Sequence, residues 1–160
     1  MSQASAATGT RTLAQGPPGW LLAVVPPGKH ALVTTGNRLA LISSDHPPPY
    51  RPSADLLLTS LALVAARRTI AVILSGGGSD GATGAVALHD FGGTVIAADK
   101  ASSAYFAMPE VAISRDDAVD YVLPADDIPA LLVSLTRSAA GQVLLSGDIG
   151  HGLPGGDVAG

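Results

Sequence analysis

Apolar residues along this chain fall into short runs, and the runs alternate between the spacing of strands and the spacing of helices. Ile70 to Leu74 is almost wholly apolar and rich in β-branched residues, the pattern of a strand buried on both faces of a parallel sheet. The glycine-rich stretch from Gly76 to Gly81 follows at once, then Ala82 to Phe91, whose Ala, Val and Leu content predicts a helix stopped by Gly92. The same alternation continues through a strand at Thr94 to Ala98, a helix from Pro109, a strand at Ala118 to Leu123 and a helix from Asp126 to about Ser138. Ahead of it, Ser53 has the chemistry of an N-cap, and Leu56 to Ala66 is apolar nearly all round until Arg67 and Arg68 close it. That pattern predicts a helix packed on at least two sides.

Nearer the start, Trp20 to Val25 reads as a strand. Ala31 to Thr35 and Leu39 to Ser43 read as a hairpin with a two-residue turn at Gly36 and Asn37. His30 stands at the preceding turn, where a lone histidine is expected to be a surface or locally satisfied residue. The stretch His46 to Pro52 carries four prolines and predicts a stiff extended connector. Alternating strands and helices imply a three-layer α/β fold on a mostly parallel, doubly wound sheet, with a β-hairpin near the N-terminus. The domain is expected over residues 20–138, with residues 1–19 a disordered leader and 139–160 a glycine-rich tail. Val24, Leu56, Leu61, Val72, Leu74, Val86, Val95, Ile96, Val122 and Leu132 are expected to share one core.

The glycine turn is the place for chemistry, because open α/β sheets bind ligands at the carboxyl ends of their strands. Three readings compete for it. Gly76, Gly78 and Gly81 have the spacing of a dinucleotide loop, with Asp99 as the ribose-binding acid, but Asp80 would then point a carboxylate at the pyrophosphate. Gly77, Ser79 and Gly81 have the spacing of a nucleophile elbow with Ser79 as nucleophile, and His151 or His89 would have to serve as base. In the third, Asp80 is the working residue, since a helix N-terminus favours an ionised carboxylate and so suits an acid that orients a histidine. The plain alternative is a turn in which Asp80 only caps its own helix.

Composition narrows the field. The chain has 160 residues, 47% of them hydrophobic, which suits one domain and not two of usual size. Nine Lys and Arg against 13 Asp and Glu leave a net charge of −4 and no basic face for nucleic acid. There is no cysteine, hence no disulfide or thiolate site, and no His, Asp or Glu cluster has metal-ligand spacing. No cofactor is expected. No run approaches the roughly eighteen apolar residues of a membrane span, so membrane insertion is not expected and a cytoplasmic protein is.

Several separated segments carry a resemblance. Val25-Pro26-Pro27-Gly28-Lys29-His30 is similar to an A-P-G-x-x-H segment, Arg51-Pro52-Ser53-Ala54-Asp55 to R-P-S-x-D, and Ile73 to Gly81 to I-L-T-G-M-G-x-D-G. Ala101-Ser102-Ser103 with Phe106, Met108-Pro109 and Ala112-Ile113 resembles an A-S-S-x-x-F-x-M-P-x-x-A-I run, and Val119 to Pro124 with Ile128-Pro129 resembles a closing strand and helix. In this order and spacing, the stretch from about Gly19 to Thr136 resembles the C-terminal two-thirds of the catalytic domain of chemotaxis protein-glutamate methylesterases, the CheB type. The resemblance implies hydrolysis of a glutamate methyl ester on a methyl-accepting chemotaxis receptor, in a phosphorelay signalling system, by a serine, a histidine and an aspartate. Asp80 matches the aspartate, and Gly77 the backbone oxyanion donor, where the family carries Met.

The family's serine turn and histidine segment precede the part matched by Trp20. Ser5 to Thr10 is faintly similar to the serine turn, but no strand precedes it and no histidine follows before Trp20. The resemblance therefore implies an esterase site reduced to its orienting acid and an inactive chain on its own. A non-catalytic receptor-binding remnant, or half of a split enzyme completed by a separate chain with the serine and histidine, are the alternatives; dinucleotide binding is the remote one.

Overall fold

The computed structural model describes residues 11–12, 22–36, 38–43 and 52–146. The chain divides into two units, residues 1–125 and 126–160. In the first, β1 (Arg11–Thr12) pairs antiparallel with β2 (Ala23–Val24), and β3 (His30–Thr34) pairs antiparallel with β4 (Arg38–Ile42). The hairpin is as expected but its register is not. Thr34 faces Arg38, so three residues make the connection instead of two, and Gly36 supplies the left-handed backbone at φ 86°. Of the leader, only Arg11 and Thr12 are described; Trp20, the connector from His46 to Arg51 and the tail from residue 147 lie outside the described residues.

Helix α1 (Ala54–Val64) begins as its sequence dictates, with Ser53 in extended backbone and its hydroxyl oxygen accepting from the Leu56 amide. It ends earlier than expected, and a separate 3₁₀ turn, Ala66–Arg68, carries Arg67 and Arg68. After it come β5 (Ile70–Ile73), α2 (Ala82–Asp90), β6 (Thr94–Ala98), α3 (Ala107–Ile113) and β7 (Tyr121–Leu123). The three strands form a parallel sheet in the order β5-β6-β7, with Val72 opposite Ile96 and Ala97 opposite Val122. Each connection crosses through one helix, so the expected α/β class is observed. Helix α1 packs against α2 and against β3, the two-sided packing that its apolar sequence requires.

The core differs from the expected one in its members. Leu58, Ala62, Ala71, Ile73, Ala85, Leu88, Val95 and Ala112 form it, with Leu61 and Val119 against its edge. Val95 and Ile96 are fully buried as expected, and Val72 and Val86 half-buried. Val24, Leu56 and Val122 are exposed, and Leu74 is 51% exposed. Leu74 is apolar but lies one residue past β5, where the chain leaves the sheet, so the parallel strands do not require its burial. Alanines replace the larger side chains because α1 and α2 run close together: a Cβ on Gly84 would stand 2.6 Å from Leu58 Cβ and 3.0 Å from the Asp55 Cα.

In the second unit the described residues form α4 (Ile128–Ser146) and the turn before it. It continues past Ser138 into the segment expected as tail. Within it, the Thr136 hydroxyl donates to the Leu132 carbonyl one turn back at 2.8 Å. None of the helices among the described residues is long and apolar enough to cross a membrane.

Candidate active site around Asp80

The glycine stretch leaves β5 at the carboxyl edge of the sheet and is held there by the loop before α3. The Gly76 amide donates to the Tyr105 carbonyl at 2.8 Å, and the Met108 amide donates back to the Gly76 carbonyl at 3.0 Å. The Ser103 hydroxyl donates to the Leu74 carbonyl at 2.9 Å, and Ser75 Oγ receives the Tyr105 amide at 3.0 Å. Met108 also closes over Gly76, its Sδ 2.7 Å and its Cβ 3.2 Å from where a Cβ would stand, so a larger residue there would have to push the Met108 side chain aside. Gly77 is different. It is exposed, a Cβ on it would meet nothing within 4 Å, and its amide meets no acceptor among the described residues. An exposed amide on a turn anchored at the preceding residue can donate to an anionic oxygen.

Asp80 is 7% exposed, unusual for a carboxylate, and its burial is matched by three donors. Oδ1 accepts from the Ser53 hydroxyl at 3.0 Å and the Asp55 amide at 3.1 Å, and Oδ2 accepts from the Ala54 amide at 2.6 Å. All three come from the start of α1. The expectation that Asp80 might cap its own helix is therefore corrected: α2 starts from Gly81 at φ 91°, and Asp80 caps α1 instead. Asp55, in the first turn of α1, returns the interaction by accepting from the Gly84 amide of α2 at 2.7 Å. Two helix N-termini thus exchange carboxylates, each satisfying amides that a helix cannot satisfy internally.

Behind Ser53 lies a residue that the sequence undervalued. His30 is 1% exposed, and its Nδ1 accepts the Ser53 amide at 3.2 Å, which leaves the proton of a neutral ring on Nε2. Nε2 has no partner among the described residues. Of the two expected roles, surface or locally satisfied, the structure excludes the surface one and satisfies the ring at Nδ1 alone, because the first residue of β3 is tucked under the start of α1, a tertiary contact that spacing does not reveal. The signal was present only as His30 and Ser53 lying in two of the quoted motifs.

A cavity of about 330 Å³ opens beside this cluster, walled by Val25, Ala31, Pro52, Ala54, Leu57 and Met108, with Ser53 and Asp80 as its polar residues. Apolar walls around a few convergent polar groups are the usual make-up of a small-molecule or side-chain site.

The competing readings of the turn do not find their parts. The α2 N-terminus, where a pyrophosphate would sit, is filled by the Asp55 carboxylate. Asp99 is bound to the amide and hydroxyl of Ser102 at 2.9 and 2.6 Å, and these bonds hold its carboxyl below the ordinary value of 3.8. As base for Ser79, His89 is misplaced, standing in the last turn of α2 at the far end of that helix from Ser79, and His151 lies outside the described residues. Among the described residues no three His, Asp or Glu gather as a metal-ligand set.

Comparison with known proteins shows the family of the chain. The family model for CheB methylesterase matches residues 17–132. A protein-glutamate methylesterase/protein-glutamine glutaminase of Paramagnetospirillum magneticum is 43% identical over 109 residues, covering 68% of this chain and 30% of that protein. Its counterpart in Thermotoga maritima is 45% identical over 95 residues, 59% of this chain and 27% of that protein. The crystal structure of the Thermotoga maritima CheB methylesterase catalytic domain superposes with a TM-score of 0.64 at 40% identity, over 69% of this chain and 59% of that one. The chain thus spans about a third or less of the length of these curated relatives. With a match over most of its length and the same α/β fold, the chain belongs to the CheB methylesterase family.

Proposed function

We propose that Asp80 is the orienting acid of a protein-glutamate methylesterase site, acting on a glutamate methyl ester of a methyl-accepting chemotaxis receptor in the cytoplasm. The observation that carries this is a buried carboxylate, fixed by three donors, bordering an apolar cavity at the carboxyl edge of the sheet. In the reaction a serine oxygen attacks the ester carbonyl while a histidine takes its proton. The histidine returns the proton to the departing methanol, and water then hydrolyses the acyl-enzyme to the glutamate carboxylate. Asp80 holds the histidine in orientation, and the exposed Gly77 amide donates to the oxyanion.

In this reading the serine and histidine come from polypeptide other than residues 22–146, and a separate chain carrying both would complete the site. The names of the relatives also carry glutamine deamidation, which needs the same acyl transfer with ammonia as the leaving group. The 160-residue chain is expected to release no methanol from methylated receptor above background, with Asp80→Asn equally silent. Removal of nucleophile and base costs a triad enzyme on the order of 10⁶ in kcat. Turnover by the wild-type chain that Asp80→Asn abolishes would overturn the assignment of those two residues and return Ser79 to consideration.

A further inference from the structure

The three donors to Asp80 are divided unevenly, and the division distinguishes the two carboxylate oxygens. Among the described residues Oδ1 accepts two hydrogen bonds, from the Ser53 hydroxyl and the Asp55 amide, whereas Oδ2 accepts one, from the Ala54 amide. A carboxylate has about two acceptor directions on each oxygen, so Oδ1 is full and Oδ2 keeps one direction open.

Ser53 is committed at its hydroxyl and its amide. Its hydroxyl oxygen accepts from Leu56, its hydroxyl proton goes to Asp80, and its amide goes to Nδ1 of the buried His30. Rotation of the serine away from Asp80 would forfeit the cap of α1.

We propose that Ser53, backed by His30, is a positioning residue that ties down Oδ1 of Asp80 and leaves Oδ2 to receive an N–H donor entering the cavity. The donor class follows from the reading of Asp80 as an orienting acid, and the walls are compatible with it. Val25, Ala31, Leu57 and Met108 present apolar surface around one open acceptor, which suits a small planar heteroaromatic ring with an N–H, an imidazole. This rests on the reading of Asp80 as an orienting acid, in which the ring belongs to the histidine base.

The test titrates free imidazole at neutral pH into the ¹⁵N-labelled 160-residue chain and follows the Ala54 amide resonance, which reports on Oδ2. The wild type should show a saturable shift. Ser53→Gly deletes the hydroxyl but keeps a residue that starts helices nearly as well as serine, so the fold is retained. It should weaken imidazole at least fivefold, and Ser53→Thr, which restores a hydroxyl, should return the affinity to within twofold of wild type. His30→Asn, with an acceptor in the place of Nδ1, should bind like wild type, and His30→Leu more weakly. No saturable shift in the wild type overturns the proposal, as does equal affinity in Ser53→Gly or a Ser53→Thr that binds no better than Ser53→Gly. Imidazole binding with this pattern, together with a failure of methylesterase activity in any completed enzyme, would sink the esterase reading and leave the positioning role standing.

Discussion

Replacing Gly84 by alanine sets two large effects against each other at the contact that holds the site together. In a helix interior alanine is favoured over glycine by about 0.8–1.0 kcal/mol, so propensity alone predicts a more stable protein. The added Cβ would, however, stand 2.6 Å from Leu58 Cβ and 3.0 Å from the Asp55 Cα and carbonyl oxygen. These atoms belong to or adjoin the backbone of α1 and cannot rotate aside, so the two helices must separate. Overpacking of this kind typically costs about 1–3 kcal/mol. Separation also stretches the 2.7 Å bond from the Gly84 amide to Asp55, of a charge-assisted type worth about 1.5–3 kcal/mol.

The net expectation for Gly84→Ala is destabilisation by about 1–3 kcal/mol. Urea unfolding followed by circular dichroism measures it, and with a slope of about 1–3 kcal/mol/M the midpoint should fall by roughly 1 M. Adding Leu58→Ala should not rescue the variant, because the clashing atom is the Cβ that alanine keeps. A Gly84→Ala midpoint equal to or above wild type would refute the close packing of α1 on α2 and the exchange of carboxylates built on it.

Gly77→Ala is the matching control, since its Cβ would enter open space at ordinary φ; it should be neutral or stabilising by about 0.4–1 kcal/mol in the same urea assay. Asp80→Asn turns an amide group toward three donors and should cost about 2 kcal/mol by thermal or urea unfolding. Asp99 has a lowered carboxyl pKa in the folded chain, so its contribution is present above the unfolded value of 3.8 and is lost as pH falls through the lower folded value. Carbon-detected NMR titration should find the Asp99 midpoint below 3.8 and find that Ser102→Ala, which removes the hydroxyl donor, moves it upward.

The elements that local chemistry specifies were legible in the sequence. A β-branched run ended by glycines gave β5 and the turn, and Ser53 in front of an apolar run gave the start of α1. What spacing could not give was which elements meet. Asp80 lies beside α2 in sequence but caps α1, because the turn carries the start of α2 against the start of α1. The burial of His30 is hidden in the sequence for the same reason, its partner Ser53 being 23 residues away. Leu74 and Val122 were assigned to the core from their apolarity, whereas small residues such as Ala62, Ala85 and Ala112 fill it because the helices come close. The chemistry proposed for Asp80 draws on its motif, since the spacing of a glycine turn alone leaves three reactions open.

The most direct test of Asp80 as the orienting acid is methanol release by a chimera in which residues 22–132 of this chain replace the matching part of the Thermotoga maritima catalytic domain, whose own segments then surround the grafted site. The account predicts measurable hydrolysis of methylated receptor, and a loss of about 10⁴-fold in kcat on Asp80→Asn, the scale seen when a triad's orienting aspartate becomes asparagine. A chimera that turns over equally well with Asp80→Asn, measured per folded molecule, would contradict it.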